Sequence, residues 1–202
     1  MTIWRDHRPL VLASQSKARQ MLLANAGITF ETLPAEIDER AIQENSGLAA
    51  PGKVAALLAR EKALAVSLHK HQQFVVGADQ TLALGSHIFN KPSGRAQALA
   101  QLSQLAGQSH ELHSAVAVAK GGTILFEHVA VARMTMRSLS EAEIAAYLDA
   151  AGEAVTSSVG AYQLEGLGIH LFARIEGDHF TILGLPLLPL LDFLRSRKLL
   201  AV

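Results

Sequence analysis

Phe74-Val75-Val76-Gly77-Ala78-Asp79 is a short apolar run that stops on a carboxylate, and Asn90-Lys91-Pro92 follows a short hairpin later. A buried strand that brings one acid to its carboxyl end is a common way for an open α/β sheet to present a reactive group. Upstream, Leu10-Val11-Leu12-Ala13 is a second such run, leading directly into Ser14-Gln15-Ser16-Lys17-Ala18-Arg19 and an apolar-periodic helix. A strand, a hydroxyl-rich turn and a helix start together make an anion site, because free backbone N–H groups and the helix dipole both favour negative charge. The ligand expected there carries phosphate.

Between these runs the pattern predicts a helix from Lys17 to Ala26 stopped by Gly27, a strand from Ile28 to Leu33, and a polar loop from Pro34 to Ala50. Pro51 suits the first turn of a helix whose apolar stripe is Val54, Leu57, Leu58, Leu64 and Leu68. After the strand ending at Asp79, a hairpin turns at Gly85-Ser86, and Ser93 is read as the cap of a helix reaching Leu105. His110 to Ala119 and Thr123 to Met136 read as long strands around Gly121-Gly122. Ser140 and Glu143 form a capping box for a helix through Ala150. A glycine-spaced stretch, Gly160 to Gly168, precedes an expected strand Ile169 to Ile175, a turn at Gly177-Asp178, a short strand to Leu183 and a last helix from Leu187 to Lys198. Irregular alternation with hairpins predicts a mixed sheet in one continuous α/β unit, with two lobes around a cleft.

Composition narrows the function. Lysine plus arginine and aspartate plus glutamate each total 18, and no basic run occurs, so the sequence offers no sequence-independent grip on DNA or RNA. No apolar run reaches the roughly 18 residues of a membrane span. The absence of cysteine excludes disulfides, thiolate nucleophiles and Cys-containing zinc sites. Met1 to Pro9 lacks the apolar core of a signal peptide, so the expected location is the cytoplasm.

Several residues are open to two readings. Asp79 is either a reactive acid or a turn former at the end of a strand. Glu36, Asp38 and Glu39 are either part of a magnesium or manganese site, since hard cations take carboxylate oxygens, or a solvated acidic loop. Lys62 lies in Ala59-Arg60-Glu61-Lys62-Ala63, where a helix lysine is ordinarily a solubilising charge. Arg19 stands in the first turns of a helix, where the dipole disfavours a cation unless an anion is near. His110-Glu111-Leu112-His113 falls one residue short of the zinc-protease spacing, Gly166-Leu167-Gly168 lacks the last glycine of a dinucleotide loop, and no Walker A sequence occurs.

Taken in order, Leu12-Ala13-Ser14-Gln15-Ser16, Asp38-Glu39, Arg60-Glu61-Lys62-Ala63, Gly77-Ala78-Asp79-Gln80, Lys91-Pro92, Gly160-Ala161-Tyr162 and Gly184-Leu185-Pro186 resemble the Maf family of nucleoside triphosphate pyrophosphatases. The resemblance covers nearly the whole chain. It implies a single Maf-like domain over 1–202 with the mixed, strongly twisted, helix-flanked sheet of Maf and ITPase proteins. It also implies hydrolysis of a nucleoside triphosphate between the α and β phosphates, with a divalent cation, Mg2+ or Mn2+, as cofactor.

By that resemblance Asp79 matches the general base, Lys62 and Lys91 match polar residues around the triphosphate, and Glu39 joins Asp79 as a metal ligand. Ser14 and Arg19 match the phosphate-binding first loop, which in the family usually reads Ser-Pro-Arg-Arg but here is Ser16-Lys17-Ala18-Arg19, with one arginine and the proline missing and Lys17 in place of the lost charge. Gln80 stands where members acting on thymidine and uridine triphosphates carry threonine, and Glu165 where they carry glutamine; both look like the branch acting on 7-methylguanosine triphosphate. A carboxylate there can accept from guanine N1–H and N2–H2 and offset the charge of a methylated ring. The apolar content and the resemblance point to a homodimer. Two other readings stand beside the enzyme: a Maf-like nucleotide-binding regulator of cell division with little turnover, and a phosphate-ligand binding module.

Overall fold

The computed structural model describes residues 3–202; Met1 and Thr2, the start of the segment read for a targeting signal, lie outside the described residues. Strands β1 (Leu10–Leu12), β2 (Phe30–Thr32), β3 (Val75–Leu84), β4 (His87–Phe89), β5 (Ser109–Lys120), β6 (Thr123–Met136) and β7 (Phe172–Glu176) form a seven-stranded sheet. Its order is β2-β1-β3-β5-β6-β7, with β4 paired to β3. β1 runs parallel to both β2 and β3, whereas β4 on β3 and β7 on β6 are antiparallel, so the sheet is mixed as expected. The helices are α1 (Lys17–Asn25), α2 (Glu39–Ser46), α3 (Pro51–Ser67), α4 (Arg95–Leu105), α5 (Glu141–Ala151), α6 (His179–Ile182) and α7 (Leu187–Ser196). None of them is long and apolar enough to cross a membrane.

The chain divides into two compact units. The first comprises the chain up to Gln80, Ser114–Ala130 and His179–Val202; the second comprises Thr81–His113 and Val131–Asp178.

In the first unit, Leu10, Leu12, Leu22, Leu23, Val76 and Ala78 pack with Leu185, Leu190 and Leu194, so the apolar faces of α1 and α7 cover one side of β1 and β3. The other side is built differently. Ala55, Ala59 and Ala63 of α3 meet Ala115, Ala117 and Ala119 of β5, a surface of methyl groups that lets helix and sheet approach closely.

The second unit buries Leu82, Leu102, Leu105, Met134, Met136, Ile144 and Leu148. It also buries His110 completely, with Nε2 2.7 Å from the Tyr162 hydroxyl and the ring against those of Tyr162 and Phe172.

Several expected boundaries are corrected. The polar stretch Pro34 to Ala50 contains α2, capped by Asp38, whose carboxylate accepts from Ala41 N, and closed by Gly47 in the left-handed region at φ 64°. The strand ending at Asp79 runs on to Leu84, because β4 supplies antiparallel partners for Leu82 to Leu84. Gly94 rather than Ser93 precedes α4; the Ser93 N–H is instead taken by Gln97 Oε1. Leu167–Leu171 forms a 3-10 turn and only Phe172–Glu176 is strand. The expected short strand to Leu183 is helix α6, where the carbonyls of His179, Phe180 and Thr181 accept from Leu183, Leu185 and Gly184 N–H.

Candidate active site

The residues that carry chemistry in the first unit gather where β1 ends and β3 passes Asp79. Alternation along β3 sends Gly77 and Asp79 toward α3, and Ala78 and Gln80 toward the opposite face. Gly77 has no side chain to hold α3 away, and Lys62 on that helix is therefore buried rather than solvated.

The Lys62 ammonium is the hub. Its Nζ lies 2.7 Å from Asp79 Oδ1 and 2.9 Å from Glu39 Oε1, so one cation holds two carboxylates from two further elements. Lys62 and Asp79 are each only 8% exposed. Burial pushes the Asp79 carboxyl up from its ordinary value, against the downward pull of Lys62 and Arg19. Asp79 Oδ2 accepts no hydrogen bond from the described residues, leaving one oxygen of a desolvated base open.

Arg19 is held from several sides. Nε donates to Gly184 O at 2.8 Å, and Nη1 donates to Ala78 O at 2.7 Å and to Ser14 Oγ at 3.1 Å. Burial draws its guanidinium down from the ordinary value, with Asp79 and Glu39 opposing. Nη2 makes no hydrogen bond to the described residues, so its N–H groups remain for a ligand.

Ser14 Oγ also accepts from Ser16 N at 3.2 Å, which keeps its own proton available. Ser16 caps α1 by accepting from Arg19 N at 3.4 Å, and the helix opens on Lys17 and Ala18. Lys17 is exposed, whereas Ala18 is partly buried against the first unit's core.

The structure thus brings Ser14, Ser16, Arg19, Glu39, Lys62, Asp79 and Gln80 together within the first unit. Gln80 Nε2 lies 2.8 Å from Ser114 Oγ and 3.1 and 3.0 Å from the carbonyls of Thr181 and Ile182. Lys91 and Glu165 belong to the second unit. Ser114 and Gly184 join the arrangement without having been singled out for a role. The signal for Ser114 is a hydroxyl at the head of the apolar run Ala115 to Ala119 of β5.

Glu39 and Asp79 are the carboxylates here that could hold a hard divalent cation. Glu39 Oε1 and Asp79 Oδ1 both meet the Lys62 ammonium, so a cation would have to draw on their other oxygens, and no group of three or more His, Cys, Asp or Glu that could hold a metal occurs among the described residues. Two carboxylates completed by phosphate oxygens and water suit Mg2+ or Mn2+ better than an all-protein cage would.

Fold and site together define a mixed-sheet α/β protein with a buried carboxylate–ammonium centre beside an arginine-backed helix N-terminus. A family model described as Maf-like protein matches residues 9–197, and the chain belongs to the Maf family. It is 69% identical to a nucleoside triphosphate pyrophosphatase of Bradyrhizobium diazoefficiens and 66% identical to one of Rhodopseudomonas palustris, each over all of both chains. It is also 53% identical to a 7-methyl-GTP pyrophosphatase of Rhizobium johnstonii, covering 93% of this chain and 95% of that protein.

Proposed function

We propose that the protein is a nucleoside triphosphate pyrophosphatase that hydrolyses its substrate to the monophosphate and pyrophosphate. The observation that carries the reading is the Asp79 carboxylate, desolvated, fixed at Oδ1 by Lys62 and open at Oδ2. Oδ2 takes a proton from water as the water oxygen bonds to the α-phosphorus, and the bond from that phosphorus to the α–β bridging oxygen breaks. Pyrophosphate departs with the electron pair of the broken bond.

The polyanion needs countercharge at this step. Lys62, Arg19 Nη2 and the N–H groups opening α1 supply it within the first unit, and Ser14 can donate its hydroxyl proton. Lys17, exposed at the start of α1, adds to it. A divalent cation held by Glu39 and Asp79 would neutralise phosphate charge and polarise the phosphoryl group.

The finer substrate we propose is a 7-methylguanosine-type triphosphate. The name of the Rhizobium relative and the carboxylate of Glu165, suited to the donors of a positively charged purine, support it.

Pyrophosphate release from a panel of nucleoside triphosphates, with Mg2+ or Mn2+ and Asp79→Asn as control, tests both levels. Turnover of the methylated purine, lost in Asp79→Asn while the fold persists, is the expected result. A pyrimidine preference would overturn the substrate and keep the activity. Silence across the panel with nucleotide still bound would replace the enzyme by a binding protein.

A further inference from the structure

Gln80 follows the reactive carboxylate by one residue, and strand alternation turns it to the opposite face. There its amide nitrogen contacts three acceptors: Ser114 Oγ at 2.8 Å, Thr181 O at 3.1 Å and Ile182 O at 3.0 Å. An amide nitrogen carries only two protons, so this one has none to spare for a nucleobase. Ser114, wholly buried, passes its own proton to Thr181 O at 2.6 Å. Thr181 O also accepts from Gly184 N at 3.0 Å. Two side-chain donors, the Gln80 amide and the Ser114 hydroxyl, therefore pin the turn from Thr181 to Gly184 onto β3 and β5.

The last residue of that turn matters for the site. Gly184 adopts φ +87°, a conformation that favours glycine, and its carbonyl receives Arg19 Nε at 2.8 Å. A Cβ at this position would lie 3.4 Å from Arg19 Nη2 and 3.6 Å from the Gln80 amide carbon, so the glycine sits against both. A chain of contacts runs from Gln80 and Ser114, through the turn, to the guanidinium whose Nη2 is left for the ligand.

We propose that Gln80 and Ser114 are positioning residues for Arg19: by fixing the Thr181–Gly184 turn they set the direction in which the guanidinium meets the polyphosphate. They do not read the base. The inference rests on the pyrophosphatase reading for its substrate, but its core is the grip on a polyphosphate, which can be measured without turnover.

The test uses the full chain, with inorganic tripolyphosphate as the probe and Ser114→Ala, Gln80→Met and Arg19→Met as variants. The expected result is about a tenfold loss of tripolyphosphate affinity in Ser114→Ala and in Gln80→Met, the scale of a few displaced hydrogen bonds. In the Arg19→Met background the same substitutions cost nothing further, because the group they orient is gone. Turnover falls by a similar factor for every triphosphate, and the ratio of kcat/KM between 7-methylguanosine and thymidine triphosphates stays constant.

A changed base ratio at unchanged tripolyphosphate affinity would overturn the proposal and make Gln80 a base contact. A lowered Tm with both quantities unchanged would overturn it in favour of packing alone, with Ser114→Ala as the smaller perturbation should Gln80→Met not fold. A wild-type protein that binds tripolyphosphate through the same Arg19 coupling without turnover would sink the pyrophosphatase reading and leave this one standing.

Discussion

Gly77 of β3 and Ala59 of α3 approach so closely that a Cβ on the glycine would lie 2.1 Å from the Ala59 carbonyl oxygen and 2.6 Å from the Ala63 nitrogen. Neither obstacle is a flexible side chain that could swing aside. Gly77→Ala must therefore lift α3 from the sheet, at a cost of about 3 kcal/mol or more. Because Lys62 rides on α3, turnover falls with stability. Urea unfolding beside pyrophosphate release checks this, and an alanine variant that is stable and active would contradict it.

The Lys62–Asp79 pair is buried, so its members are not interchangeable with surface charges. Lys62→Met strands a carboxylate and should destabilise the protein by about 3 kcal/mol, whereas Lys62→Met combined with Asp79→Leu recovers much of that loss. Neither variant turns over substrate. A cost in Lys62→Met below about 1 kcal/mol, the scale of an exposed pair, would show that the ammonium is not holding Asp79.

The pH profile of kcat/KM should carry an acid limb belonging to Asp79. Only the ionised carboxylate can take a proton, and burial raises its pKa above the ordinary 3.8, so activity falls as pH drops through that raised value. Lys62→Gln removes a cation that lowers the pKa, so in that variant the Asp79 carboxyl, followed by NMR titration, should lose its proton only at higher pH. A limb at the ordinary carboxylate value in the wild type would argue against a desolvated base.

His110 predicts a separate effect on stability. Its ring is buried, Nδ1 has no hydrogen-bond partner, and desolvation lowers its pKa from 6.5 to about 4. Between those values the unfolded chain binds the proton and the folded one does not. Stability is therefore full above the unfolded value and is lost as pH falls toward 4, by about 3 kcal/mol. His110→Phe with Tyr162→Phe keeps the aromatic packing and should flatten this dependence in denaturation curves taken across the window. An unchanged slope would assign it elsewhere.

Much of the frame is legible in the sequence because its signals are local. The runs ending at Ala13 and Asp79, the Gly121-Gly122 turn and the Ser140–Glu143 box each carry their own punctuation, and the structure places strands, turn and helix there. Helix α2 is obscured because only Ala41 and Ile42 interrupt a polar run, although Asp38 and Gly47 mark its two ends. His179–Ile182 has the β-branched and aromatic character of a strand, yet the turn that seats Arg19 makes it helix.

At the site, sequence shows which residue types are present but not what they touch. The burial of Lys62 depends on Gly77 of a different element, against which Ala59 and Ala63 of its own helix pack. The contact of Ser114 is with the Thr181 carbonyl, more than sixty positions away.

The division of the chain also orders its synthesis. The first unit takes residues up to Gln80, then 114–130 and 179–202, whereas the second is complete once Asp178 has been made. Leu185, Leu190 and Leu194 arrive last, and until they do the faces of β1 and α1 that they cover remain open to water. On the ribosome the reactive half of the molecule is thus the later to close, a long-range closure of the kind that folds slowly and exposes apolar surface meanwhile. A nascent chain stalled short of α7 would carry Asp79, Lys62 and Arg19, yet lack both the core that packs their strands and the Gly184 carbonyl that seats the guanidinium.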